Sequence, residues 1–265
     1  MPDCGSISPD IQMRNVYIFT LRSFTIACRG PSQLRFAYSQ IDSAMNVFEI
    51  FSQYGDALAC GLMESLRLAL IVWTAGLSIG TLFGALGARF PRLFGMPLAV
   101  CAFILSGVPV IVFLFWLHYP VQSMMNVVID PFITASVTLA IINVFAVSEI
   151  VRRVLRDFPE QYMIAAKVCG LGRLQTFTQI QFPLIFRQIL PGLLMTQVGM
   201  LQATLFASLI SVDEIFRTAQ RINATVYRPV EIYTSLGILF LIVCLPLNGV
   251  AIWLRNKYTR DLSEK

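Results

Sequence analysis

The chain has 265 residues, of which 13% are charged and 56% hydrophobic. A soluble domain carries about a quarter of its residues as charges, so this balance, with a mean hydropathy of +0.70, excludes an ordinary water-soluble globule. The net charge of +5 does not indicate nucleic acid, because the basic residues flank apolar runs and form no basic surface interleaved with aromatics.

The first 44 residues stand apart. They carry Arg14, Arg22, Arg29 and Arg35, and their best apolar run, VYIFTLRSFTIAC, is interrupted by Arg22 and too short to span a bilayer. They lack the unbroken apolar core and small-residue cleavage site of a signal peptide. Met45 opens MNVFEIFSQYGDALACGLMESLRLAL, a natural start for a membrane protein. The expectation is a poorly ordered tail over 1–44, upstream of the native start, followed by a membrane domain over 45–265.

A helix needs roughly 20 apolar residues to cross the hydrocarbon core. Segments at about 66–88, 97–119, 132–151, 189–211 and 233–254 qualify, which predicts an all-α polytopic protein with five transmembrane helices. In span one, Gly76, Gly80 and Gly84 repeat every four residues and make a smooth stripe where another helix can approach closely. The partner is either a helix of the same bundle or a second membrane subunit. Span two holds Gly107-Val108-Pro109. Proline removes a donor and disfavours helix in the residue before it, so a kink or a cavity-lining break is expected at Gly107 and Pro109. In span three, Glu149 and Arg152 are three apart and can pair, and Asn143 lies deeper. Span four carries Gln197, Thr204, Ser208 and Ser211 along one side. Such a stripe, with Asn143, either lines a path for a hydrogen-bonding solute or stitches helices together. Pro246 and Asn248 interrupt span five.

Charge sets the expected orientation. Arg89 and Arg92 follow span one. Arg152, Arg153, Arg156, Lys167, Arg173 and Arg187 lie between spans three and four, and Arg255, Lys257, Arg260 and Lys265 follow span five. Residues 120–131 hold no Lys or Arg. The positive-inside rule then puts the N-terminus outside and the C-terminus in the cytoplasm. The six cysteines show no CxxC spacing and read as small buried hydrophobes. His118, the sole histidine, reads as an interfacial polar tip without a metal set around it.

Residues 160–187, EQYMIAAKVCGLGRLQTFTQIQFPLIFR, are too polar for a span and too regular for a plain loop. Glu160 through Cys169 predicts a helix ended by Gly170 and Gly172. Leu174 through Phe182 predicts a second, separated from span four by Pro183 and Pro191. An exposed helix–turn–helix with a few apolar knobs suits a groove on a partner, or the membrane surface.

The register of Ala165, Ala166, Gly170, Ile180 and Pro183 resembles the EAA loop of binding-protein-dependent ABC importer permeases. The similarity, to the polar amino acid subfamily, extends over roughly 50–258 through GVPVIVFLFWLHYP, AIINVFAVSEIVRR, SLISVDEIFRTAQ and RPVEIYTSLGILFLIVCLPLNGVAIWL. It implies a bacterial inner-membrane permease whose loop couples to separate ABC ATPase subunits, which bind ATP and Mg. It also implies a second permease copy or paralogue, and an external solute-binding protein docking on 120–131 and 212–232. This chain has no GxxxxGK[ST] loop, so it is expected to bind no cofactor itself and to be no enzyme.

Three positions depart from the family pattern. Ile164 stands where the loop's leading Glu is usual, Ser106 where Arg precedes the break in span two, and Gln202-Ala203-Thr204-Leu205 where Lys-Asp-Thr-Ser is common. The lost charges separate the family assignment from the choice of solute. They leave room for an accessory half of a heterodimer or a non-transporting scaffold. A secondary transporter fits less well, since deep carboxylates and internal repeats are missing.

Overall fold

The computed structural model describes residues 47–263, all of the secondary structure being helical, and the tail expected over 1–44 lies outside the described residues. Helix α1, Val47–Arg89, is 43 residues long. At 1.5 Å per residue it reaches about 65 Å, twice the hydrocarbon thickness. It therefore begins well ahead of the predicted position 66. Residues 47–65 carry Asp56 and Glu64, which hide them from a hydropathy scan, yet no proline or helix-breaking cluster stops them.

Phe90-Pro91 ends α1. A wide five-residue turn, Pro91–Gly95, leads into α2, Met96–Gly107. Val108 then takes the extended conformation (φ −94°, ψ 123°) that a residue before proline prefers, and Pro109 opens α3, Val110–Trp116. After another wide turn come α4, Gln122–Met125, and a left-handed Asn126. The two arms, Pro91–Gly107 and Val110–Met125, meet at 99°. The predicted break at Gly107–Pro109 is thus a sharp knee. Four helices among the described residues are long and apolar enough to cross a membrane, and five if the bent pair counts as one span.

Helix α5, Pro131–Arg156, starts on Asp130, whose Oδ1 accepts from the Phe132 amide at 2.8 Å, a standard N-cap with proline in the first turn. Then come α6, Glu160–Val168, and α7, Arg173–Thr176. Here the structure corrects the sequence expectation. Neither Pro183 nor Pro191 separates α7 from span four, because Arg173–Ile210 is one 38-residue helical run. The reason is local. The turn Phe177–Gln181 is widened so that the Phe182 amide bonds Phe177 O, five residues back, and such a bulge makes room for the ring of Pro183 at the start of α8, Phe182–Ala203. A tighter turn, Thr204–Ile210, closes the run at Ser211 (φ 76°). The amphipathic α9, Ile215–Val226, and the long α10, Pro229–Ser263, complete the bundle.

The glycine stripe decides how α1 packs. A Cβ on Gly80 would sit 2.8 Å from Val147 Cβ and 2.9 Å from Val144 O, and one on Gly84 2.7 Å from Ser148 O and from Val151 Cβ. Gly76 faces Asn143. The seam therefore lies within the bundle, against α5. Leu68, Val72, Leu114, Leu139 and Ile210 fill one core beside it. The early part of α1 packs with α9 and α10 through Ile50, Leu58, Ile215, Ile222 and Ile232. Outward-facing Leu82, Val112, Leu241, Ile242 and Leu245 are exposed, as lipid contact requires.

Candidate coupling elbow and polar core

At one end of the bundle, α6 and α7 form an elbow. Gly170 makes the corner with φ +73°, a left-handed value that a side chain resists. The Leu171 amide bonds Ala166 O at 3.0 Å, and the Gln175 side chain accepts from the Gly172 amide at 3.1 Å. Ala166 and Thr176 are buried, while Ile180 and Pro183 are half-buried. Ala165 faces out, and so do Ile164, Val168, Leu174 and Phe177. Val168 and Leu174 are 82% and 75% exposed. The helix that begins at α7 runs on into α8, so the second arm of the elbow and span four are one continuous run, Arg173–Ile210.

Where α5 leads to the elbow, Glu149 is gripped by two guanidiniums. Arg152 Nη2 lies 2.7 Å and Arg153 Nε 2.7 Å from its oxygens. Arg152 is buried, so the expected Glu149–Arg152 pair acts as an internal brace.

The polar candidates of spans three and four converge only in part. Asn143 Nδ2 donates to Gln197 Oε1 at 3.0 Å and to Val72 O at 2.9 Å, and Gln197 Nε2 returns a bond to Asn143 Oδ1 at 3.2 Å. Trp73 Nε1 donates to Gln197 O at 2.9 Å. This amide pair ties α1, α5 and α8 together, and both side chains are buried. Thr204 and Ser208 are buried as well, their hydroxyls donating to Leu201 O and Leu205 O of their own helix. Gly107 and Pro109 lie instead on the exposed face of the α2–α3 knee.

Glu214 was not singled out from sequence, although it stands in SLISVDEIFRTAQ. It is fully buried. Its Oε1 accepts from the Arg217 amide at 3.1 Å as the N-cap of α9, its Oε2 is 3.2 Å from the Ser65 hydroxyl, and that hydroxyl accepts from the Ile215 amide at 3.2 Å. Burial pushes its carboxyl up to about 7, against the lowering effect of these amides. An acid directly before an amphipathic run is a readable N-cap signal; its burial against α1, 149 residues away, is not. Beside it, Asp213 pairs with Arg217 and Arg221 at 3.1 and 2.6 Å.

The remaining candidates are plain. His118 Nδ1 lies 3.2 Å from Gln122 Nε2, and among the described residues no three metal-binding side chains cluster. Of the four described cysteines only Cys244 is buried, and Cys101 and Cys169 are exposed. This corrects the buried-hydrophobe expectation: Cys101 sits on α2, a thinly covered helix, and Cys169 caps α6.

Residues 76–260, from the first glycine of the seam to the last turn of α10, match the family described as the binding-protein-dependent transport system inner membrane component. The chain belongs to this family. It is 31% identical over 197 residues to the octopine transport system permease protein of Rhizobium radiobacter, covering 71% of this chain and 80% of the relative. The histidine/lysine/arginine/ornithine transport system permease protein of Salmonella typhimurium is 28% identical, with 75% and 92% covered. The glutamine transport system permease protein of Escherichia coli is 29% identical, with 71% and 89% covered. The permease fold also matches a crystal structure of an amino acid ABC transporter with histidines. The TM-score is 0.69 at 20% identity, over 78% of this chain and 96% of that one. It is thus a multi-pass inner-membrane permease subunit, and the resemblance carried by the elbow motif is supported by a match over most of the chain.

Proposed function

We propose that this permease forms part of the membrane path of an ATP-driven importer for a polar amino acid or similar small polar solute, with its elbow seated in a groove of an ABC ATPase. The relatives' names mention octopine, several basic amino acids and glutamine, which supports the solute class. The observation that carries the coupling role is the elbow itself: an exposed apolar tip, with Ile164 and Val168 on α6 and Leu174 on α7, the arm continuous with span four. In this reading the elbow and C-terminus are cytoplasmic, as the clustered arginines favour. Residues 120–131 and 212–232 face outward to a solute-binding protein, and a second permease copy or paralogue completes the path. ATP and Mg belong to the partner ATPase. Nucleotide would act by biasing two bundle arrangements that differ by a few kcal/mol.

The test is Gly170→Arg in the assembled transporter. A bulky cation at a left-handed corner beside the docking tip should leave membrane insertion intact and abolish solute uptake, with ATP hydrolysis no longer stimulated by the binding protein. Uptake at the parental rate would sink the docking model. A second reading has its own support. Asn143 and Gln197 satisfy each other, and Ser106 and Ile164 replace charged family positions, which suits an accessory half in a heterodimer. Swapping this subunit for its paralogue in both positions of the dimer separates the two.

A further inference from the structure

At the elbow end, a cavity of about 200 Å³ opens between the α5–α6 corner, the first turns of α8 and the last turns of α10. Phe158 and Tyr162 line it from the corner, Arg187 and Gln188 from α8, and Arg255 and Tyr258 from α10. Among the described residues its lining contains two guanidiniums and no carboxylate. Among the described residues neither arginine has an ion-pair partner. Arg187 instead stacks over the Tyr258 ring, 5.6 Å from its centroid. Both arginines are exposed, and two cations at one aromatic-walled recess favour an anion there.

The depth of the recess says which anion. Just before Arg255 on α10, Leu245, Ile252 and Trp253 are exposed, so the apolar girdle ends there. Lys257 Nζ lies 4.9 Å over the Trp253 ring, and exposed Phe182 and Phe186 stack on the α8 side. Aromatic rings mixed with cations mark the membrane–water boundary, and basic recesses between helices at that level suit anionic headgroups. We infer that the recess bounded by Arg187, Arg255, Tyr162 and Tyr258 binds the phosphodiester of an anionic phospholipid. The guanidiniums take the phosphate oxygens as planar forks, and the tyrosine hydroxyls supply further donors. The acyl chains lie along the exposed faces of α8 and α10. That the lipid comes from the cytoplasmic leaflet rests on the orientation proposed above; the site itself does not.

The test is native mass spectrometry of the assembled transporter released from nanodiscs containing phosphatidylglycerol and phosphatidylcholine. The parent should retain phosphatidylglycerol in preference to phosphatidylcholine. The Arg187→Gln/Arg255→Gln pair should retain about tenfold less, and Arg89→Gln/Arg92→Gln, which changes two basic residues outside the recess, should retain it fully. Arg255→Lys, which keeps the charge and loses the fork, gives an intermediate loss and serves if the double variant fails to assemble. Equal retention by parent and either recess variant would overturn the inference. So would equal retention of phosphatidylcholine, or displacement by millimolar inorganic phosphate, which would make this a free-anion site. Retention by the permease alone but not by the assembled transporter would reassign the recess to a contact with the ATPase. Lipid retention does not require uptake, so a non-transporting chain that keeps the lipid refutes the function while leaving this site standing.

Discussion

The α1–α5 seam and the elbow are both built on glycine and alanine, and they use these residues in opposite ways. In the seam, Gly80 and Gly84 let two backbones meet so closely that a Cβ would fall within 3 Å of α5. The absent side chains are replaced by partner atoms of the same chain. At the elbow, a Cβ on Gly170 would meet nothing within 4 Å. Only its backbone angle is demanding, and the neighbouring apolar side chains point into open space. The difference separates a contact that folding completes from a surface that folding leaves open. The seam is closed within the chain, and the elbow is the face that the proposed ATPase contact would close.

This contrast breaks first in the seam. Gly80→Leu must push Val147 and the Val144 carbonyl aside, and overpacking of this kind costs about 3 kcal/mol or more. The detergent-solubilised protein should lose its monodisperse size-exclusion peak. A variant that folds with unchanged thermal stability would show that α1 and α5 are not locked together.

The next effect in size concerns Glu214, packed against α1 at Ser65. Its carboxyl rises from the ordinary 4.5 to about 7 on folding, so the folded state holds its proton more tightly than the unfolded state. The contribution of this group to stability is therefore greatest below about pH 4.5 and is lost as pH rises through 7, where the buried carboxyl ionises. The swing is on the order of 3 kcal/mol at most. Glu214→Gln keeps the amide cap and the Ser65 contact while removing the charge. The drop in unfolding temperature between pH 5 and pH 8 should be clearly smaller in the variant than in the parent. An identical drop in both would mean that Glu214 is not the group that titrates.

The amide pair comes third. Asn143→Leu leaves Gln197 buried with unmatched donors and acceptors, at a cost of about 2 kcal/mol. Gln197→Leu does the same in reverse, and the double variant should recover part of the loss. Additive losses would deny the coupling, and a solute-binding defect exceeding the stability loss would assign the pair to the pathway.

How much of this was legible beforehand follows from the range of the interactions involved. The spans, the knee at Gly107–Pro109 and the corner at Gly170 were readable because hydropathy, proline and glycine act within a few residues. The glycine stripe was readable as a seam, but its partner was not, since close approach fixes no address. The early turns of α1 escaped because Asp56 and Glu64 mask a helix supported from outside by α9 and α10. The continuity of α7 with α8 escaped because a widened turn at Phe177–Gln181 absorbs Pro183, a geometric remedy with no residue signature. The Asn143–Gln197 and Ser65–Glu214 contacts join positions 54 and 149 apart, beyond any local rule.

The smallest expected effect on the fold sharpens the comparison most. Leu174 is 75% exposed on the elbow, and replacing it with Asp removes no intramolecular packing worth counting, so stability should stay within about 0.5 kcal/mol of the parent. If the tip is a docking knob, burying that carboxylate in an apolar groove is costly without a partner cation, and co-purification with the ATPase should fall at least tenfold. A seam residue has the reverse profile, a large loss of fold with no separate loss of partner. Should Leu174→Asp destabilise the isolated subunit while the assembled complex stays intact, the elbow would belong with the seam, as a part the chain completes for itself.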